Sequence, residues 1–295
     1  MQNNESDYSA NINWYPGHMA KTRRMLLENI NSVDAVVEVL DARVPYSSTN
    51  PDIYYIVSLK PHLILLNKSD LADNRRTEKW IDFYKKTGLS ALSVSCSTGK
   101  GVNKIAPMLF ELTKHKTEKY INKGVNKSIK IMILGIPNVG KSTVINRLAG
   151  KAAAKAGDRP GVTRAKQWIR LKDGLELLDT PGILPPKFLD KNAALRLAYT
   201  GAIKDEIIET ELIAYSLLET LRDSYPKELS DRYKISDIYE NKGYQILEKI
   251  GRKRGCLISG GEIDEARASA IVLDDLRGGK IGCITFEVPE GQNDL

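Results

Sequence analysis

Four short apolar runs mark the first half of the chain: Val36 to Leu40, Leu63 to Leu66, Ala91 to Ser95 and Ile129 to Leu134. Each is β-branched or leucine-rich and too short for an ordinary helix, so each predicts a buried strand. Between them, residues 75–87 and 102–117 space their apolar positions as helices do. Strands alternating with helices imply a mainly parallel sheet covered on both faces. Two further runs, 168–171 and 175–178, predict a hairpin across Lys172 to Gly174, and the Lys- and Asn-rich segment 116–127 reads as a solvated connector. After Pro185-Pro186 the strands stop. Residues 192–222, 242–254 and 262–276 repeat apolar positions at helical spacing, which predicts a helical C-terminal domain. The expected organisation is an α/β domain over 1–189 and a smaller helical domain over 190–295.

Composition narrows the class. The longest apolar runs, at 33–40 and 63–66, cannot span a bilayer, so no membrane partner is expected. The first dozen residues lack a basic start and an apolar stretch, so export is not expected and the cytoplasm is the expected compartment. Cys96, Cys256 and Cys283 are odd in number and far apart, which argues against a disulfide framework or a zinc cluster. The net charge of +7 favours an anionic macromolecular partner. A basic cluster at Lys249, Arg252, Lys253 and Arg254, which Arg267, Arg277 and Lys280 could join, suits structured RNA or else a solvated helix face.

The strongest chemical signal is Gly135-Ile136-Pro137-Asn138-Val139-Gly140-Lys141-Ser142, a phosphate-loop pattern between the last of the four strands and a helix-like segment. Its glycines let the backbone curl so that amides point inward, and the helix N-terminus adds partial positive charge. Phosphate contacts are therefore expected from Gly135, Pro137, Asn138, Val139, Gly140, Lys141, Ser142 and Thr143. Lys141 would reach the β- and γ-phosphates, and the Ser142 hydroxyl would ligate Mg2+.

Other motifs resemble elements of the GTPase superfamily. Asn67-Lys68-Ser69-Asp70, at a strand end, resembles the N-K-x-D element, in which the Asp carboxylate selects guanine, the Lys stem covers the base and the Asn ties the loop down. Ser95-Cys96-Ser97 resembles the second base-contacting loop, where a main-chain amide meets the guanine oxygen. Asp179-Thr180-Pro181-Gly182 resembles the element whose Asp holds magnesium through water and whose Gly amide senses the γ-phosphate. Thr163, in Pro160-Gly161-Val162-Thr163, resembles the switch threonine that closes over magnesium. The base motifs precede the phosphate loop, the reverse of the ordinary order, so the fold expected is a circularly permuted P-loop GTPase.

With Trp14-Tyr15-Pro16-Gly17-His18-Met19-Ala20-Lys21, Asp41-Ala42-Arg43 and the segment 254–282, these motifs resemble the bacterial ribosome biogenesis GTPase A family over nearly the whole chain. Tyr15, and Ile183-Leu184-Pro185-Pro186, depart from that family's usual residues. The resemblance implies binding of GTP and GDP, and GTP hydrolysis stimulated by the ribosomal particle. It also implies a role in assembling the large ribosomal subunit through rRNA and ribosomal proteins. Ile183 follows Gly182 and no Gln is near, so the water-orienting role that Gln fills in Ras-like GTPases passes, by resemblance, to His18. Asn138 resembles the residue that coordinates K+ in cation-activated relatives. A monomer is expected; His62 and His115 are given no role. The competing expectations are a nucleotide-gated RNA- or protein-binding module with negligible hydrolysis, and a permuted GTPase acting on another RNA.

Overall fold

The computed structural model describes residues 24, 26–50, 57–58, 60–121, 128–150, 168–178, 191–203, 205 and 208–289. The chain divides into two compact units, one over 15–187 with the tail from Glu287 onward, the other containing 188–286. In the first unit, β1 (Ala35–Asp41), β2 (His62–Asn67), β3 (Ser90–Ser93), β4 (Ile129–Leu134), β5 (Trp168–Arg170) and β6 (Leu175–Leu178) form one sheet. Its order is β3-β2-β1-β4-β6-β5. All neighbouring strands run parallel except the β5–β6 hairpin. β1 and β2 are buried at every position, and β4 at all but Lys130. Burial on both faces is why these strands read as continuous apolar runs with no polar alternation.

The helices of this unit are α1 (Asn74–Lys86), α2 (Ile105–Leu112), α3 (Lys114–Ile121) and α4 (Lys141–Ala149). Asp73 caps α1 by accepting from the N–H groups of Arg75 at 2.8 Å and Arg76 at 3.2 Å, a contact worth about 1 kcal/mol. Lys85 and Lys86 in its last turn complement the helix dipole. Its buried face, Trp80 and Tyr84, packs with Leu40, Ala42, Ile64, Leu66 and Ala72. A second cluster joins Val36, Met132, Leu134 and Leu178 to Leu26, Ile30, Val33 and Val57. The strand register puts both clusters on one face of the sheet, along with Glu38, whose carboxylate lies 3.1 Å from His62 Nε2.

Local bonds explain three departures from the periodicity. β3 stops at Ser93 because Ser95 turns away to bond Lys100 O through its N–H at 2.9 Å. The helix expected over 102–117 is a 3-10 turn at Val102–Lys104 followed by α2 and α3, with Thr113 between them turning its hydroxyl onto Leu109 O at 2.8 Å. α3 therefore occupies the start of the segment expected to be a connector, and residues 122–127 lie outside the described residues.

The helical unit comprises α5 (Lys191–Tyr199), α6 (Thr210–Ser224), α7 (Pro226–Tyr233), α8 (Gly243–Arg254) and α9 (Glu265–Arg277). α6 is its centre and packs against each of the other four. The stretch expected as one helix over 192–222 is two, because α5 closes with Gly201 N–H on Ala198 O at 3.1 Å and Ala202 N–H on Leu197 O at 2.9 Å. Arg277 finishes that end, donating to Ala198 O at 2.9 Å and Tyr199 O at 3.2 Å. α7 carries Pro at its first turn, a readable start signal that apolar spacing alone misses. Among the described residues, no helix is long and apolar enough to cross a membrane.

The observed division differs from the expected 1–189 and 190–295 at the tail. Glu287, buried, belongs to the sheet unit. Its carboxylate accepts from Tyr46 N–H at 2.6 Å, Ser47 N–H at 3.2 Å and the Ser47 hydroxyl, while its carbonyl accepts from Trp80 Nε1 at 3.1 Å. Glu287→Ala takes the carboxylate away from the Tyr46 and Ser47 donors, while the Trp80 bond to the main-chain carbonyl remains, and is expected to cost about 2–4 kcal/mol. Urea unfolding of the full chain checks this; a midpoint equal to wild type would remove Glu287 as an anchor.

Candidate functional site

In open α/β sheets ligands bind outside the carboxyl ends of the strands, where the order of strands switches direction. Here the switch lies between β1 and β4: from β1 the chain builds outward to β2 and β3, while on the other side β4 is followed by the edge strand β5, which turns back into β6 beside β4. The phosphate loop leaves β4 at this point, and Asn67 to Asp70 leave β2 beside it. Backbone geometry demands two of the loop's glycines. Gly135 has φ 147° and a Cβ there would collide with Val39 O; Gly140 has φ 96° and a Cβ would collide with the Asn67 side chain. Asn138 also lies in the left-handed region, at φ 62°.

The loop runs into α4, whose leading N–H groups have no carbonyl partners within the helix. Ser142 and Thr143 are exposed on this first turn, open to an ion or a phosphate. Lys141 is half-buried and donates to Ile136 O at 2.6 Å, and burial pushes its ammonium down to about 8. A phosphate in the loop would favour the charged form and raise it again. Pro137 and Val139 complete the loop, Val139 being buried.

Asn67 joins the two halves of the site. Its buried side chain donates through Nδ2 to Val139 O at 2.8 Å and accepts through Oδ1 from Cys96 N–H at 3.1 Å. Phosphate loop and base loop thus hang on one amide. In this structure the Cys96 N–H, one of the main-chain amides of the turn expected to meet a base oxygen, is bonded to Asn67. Ser95 is buried, and its hydroxyl lies 3.0 Å from that of Ser97 and accepts from Thr98 Oγ1 at 2.8 Å, which shapes the turn. Ser97 Oγ donates to Asp70 at 3.2 Å, so the exposed carboxylate faces the same turn.

Sequence reasoning missed two supports. Arg147 of α4 donates to Cys96 O at 2.7 Å and Ser97 O at 2.5 Å, clamping the turn from outside. Asp41, at the end of β1, lies 3.0 Å from Lys68 Nζ and is gripped by Arg43 through Nε at 3.0 Å and Nη2 at 2.8 Å. Burial raises the Asp41 carboxyl, but the Arg43 and Lys68 charges outweigh it and hold the group well below the usual carboxylate range. Arg147 has no local signal, since its partners lie about fifty positions away. Asp41 and Arg43 stand in a motif that the sequence supplied without a role.

His18, Thr163, Asp179 and Gly182 lie outside the described residues. Among the described residues, no group of three or more His, Cys, Asp or Glu could hold a metal. Among the basic residues that could join the cluster, Arg277 caps a helix end and is also bonded to Asp205 at 2.7 Å. Lys280 lies 3.2 Å from the buried Asp275, and Arg252 pairs with Glu248 at 2.8 Å.

A family model described as "50S ribosome-binding GTPase" matches residues 130–246. The chain is 49% identical over 280 residues to ribosome biogenesis GTPase A of Bacillus cereus, covering 95% of this chain and 94% of that protein. It is 35% identical over 279 residues to the protein of the same name from Thermotoga maritima, covering 95% of each. Mitochondrial ribosome-associated GTPase 1 of Mus musculus is 38% identical over 218 residues, 70% of this chain and 66% of that one. GDP-bound YlqF superposes with a TM-score of 0.67 at 31% identity, covering 90% of this chain and 100% of that one. GNP-bound YlqF from T. maritima gives 0.65 at 30% identity, covering 92% and 99%.

Two outcomes follow from the Asn67 tie. Burial pushes the Cys96 thiol up to about 11, so a thiol reagent at about pH 8 should label exposed Cys283 quickly and Cys96 slowly. Asn67→Ala should speed Cys96 labelling and weaken nucleotide binding by about tenfold or more, because it strands a carbonyl and an N–H. Unchanged labelling together with unchanged affinity, read by mass spectrometry and calorimetry, would show that Asn67 ties nothing.

Proposed function

The chain belongs to the ribosome biogenesis GTPase A family and is a GTP-hydrolysing enzyme, and from that premise we propose that it serves assembly of the large ribosomal subunit, with hydrolysis stimulated by the ribosomal particle. The observation that supports the nucleotide-binding part of the reading is at the β1–β4 switch, where Asn67 bonds both nucleotide loops. In this reading Asp70 accepts from the ring and exocyclic nitrogens of guanine, and the Lys68 stem covers the base. The guanine oxygen meets a main-chain amide of the Ser95–Ser97 turn. The loop from Gly135 to Thr143 surrounds the phosphates, and the Gly182 amide senses the γ-phosphate.

Ser142, Thr163 and Asp179 would hold magnesium, which would supply positive charge against that of the phosphates. Asn138 would hold K+, supplying the positive charge that an arginine finger brings elsewhere. His18 would orient the attacking water as a neutral imidazole. The expected working form is a cytoplasmic monomer whose helical domain meets rRNA and ribosomal proteins.

GTP turnover by the full chain, alone and with large ribosomal subunits, tests this. Subunits should raise turnover more than about tenfold, potassium should outpace sodium, and His18→Ala should still bind GTP while losing the stimulation. A rate indifferent to subunits makes the partner wrong. Equal rates in the two salts remove Asn138 from the cation role.

A further inference from the structure

The base-side loop contains a charge arrangement that the roles above leave unused. Lys68 sits at φ 60°, a region disfavoured for any residue with a Cβ, and its ammonium is drawn back 3.0 Å from Asp41. The Asp41 side chain is 3% exposed and that of Lys68 24%, so the pair is screened far less than a surface ion pair. Behind Asp41 stands Arg43, fully buried and bidentate, with its own N–H on Asp41 Oδ1 at 3.1 Å. Asp41 N–H in turn donates to Ser48 Oγ at 3.1 Å, and Ala42 N–H continues the ladder onto Asn67 O at 2.8 Å. The carboxylate is thus held from three sides and cannot follow the lysine; the lysine must come to it.

We infer that Asp41, backed by Arg43, is a positioning residue for guanine-nucleotide binding: it anchors the Lys68 ammonium so that the lysine stem is already laid out where the base will stack. The inference rests on the reading of Asn67 to Asp70 as the base-selecting loop. A lysine has many rotamers, and ordering them when a ligand arrives costs affinity. An ion pair formed in the folded protein completes that ordering beforehand.

The test is a double-mutant cycle on the full chain, read as GDP affinity by calorimetry. Asp41→Asn should weaken GDP about tenfold or more, and in a Lys68→Met background, where the stem remains but the ammonium is gone, the same change should cost less than about twofold. Asp41→Asn strips a buried guanidinium of its partner, so Asp41→Asn/Arg43→Met is run in parallel to remove both charges if the single variant does not fold. Steady-state turnover adds a readout that a merely structural role would not give: KM for GTP should rise with kcat at saturation unchanged. An equal loss with and without the Lys68 ammonium, or no loss at all, overturns the inference while GDP binding by wild type upholds the base-site reading. Wild-type protein that does not bind GDP overturns that reading and the inference with it.

Discussion

The parallel pairing of β1 with β4 is the contact on which the rest depends. It joins three strands that carry the base motifs to three that carry the phosphate loop, and it does so in a parallel register that brings both carboxyl ends to one edge of the sheet. β1 supplies Asp41 at that edge, β2 beside it supplies Asn67, and β4 releases the phosphate loop. Which motif is synthesised first is immaterial to this geometry. A sheet whose strands are fixed by lateral pairing and two-sided burial can be assembled from either order, provided the termini lie where a cut is tolerated. The permuted order therefore changes what the site is connected to and leaves its construction alone.

Given that frame, the two nucleotide loops are held as one body. Asn67 ties them from within, through Val139 O and Cys96 N–H, and Arg147 ties them from without, through the carbonyls of Cys96 and Ser97. Each such bond contributes only about 1 kcal/mol net, but losing a partner strands a buried polar group at greater cost. The loops are accordingly expected to order together, so that occupation of the phosphate end is felt at the base end. Close approach is part of the same device, because Gly140 passes the Asn67 side chain at a distance that no Cβ permits.

The sequence made the sheet legible because both-face burial leaves a strong trace: Val36 to Leu40 and Leu63 to Leu66 can hardly be anything else. The phosphate loop and Asn67 to Asp70 were legible for a different reason, namely that their chemistry demands particular residues at adjacent positions. What spacing could not show were bonds between distant residues. Arg147 looks like any helical arginine until Cys96 is folded beside it, and Glu287 looks like a residue of the helical domain until its carboxylate meets Tyr46 and Ser47. Helix breaks were missed where a long-range donor decides them, as Arg277 does at the end of α5. Arg277 was also misread as surface charge, since composition counts a cation without seeing what it bonds.

The same distinction bears on why a buried charge group sits beside the base loop at all. Removing Asp41, Arg43 and most of Lys68 from water is costly, and an apolar trio of similar volume could be at least as stable. Stability is therefore a poor reason for these residues. Direction is a better one: apolar contacts hold a side chain in a volume, whereas a bidentate pair holds it in an orientation. Arg43 fixes Asp41 through two nitrogens and a backbone N–H, and only after that can Asp41 hold Lys68 against a backbone angle that a lysine otherwise avoids. The order of dependence runs from the buried guanidinium outward to the partly exposed ammonium. That order is what a loop needs if its outermost group must be ready before the ligand arrives.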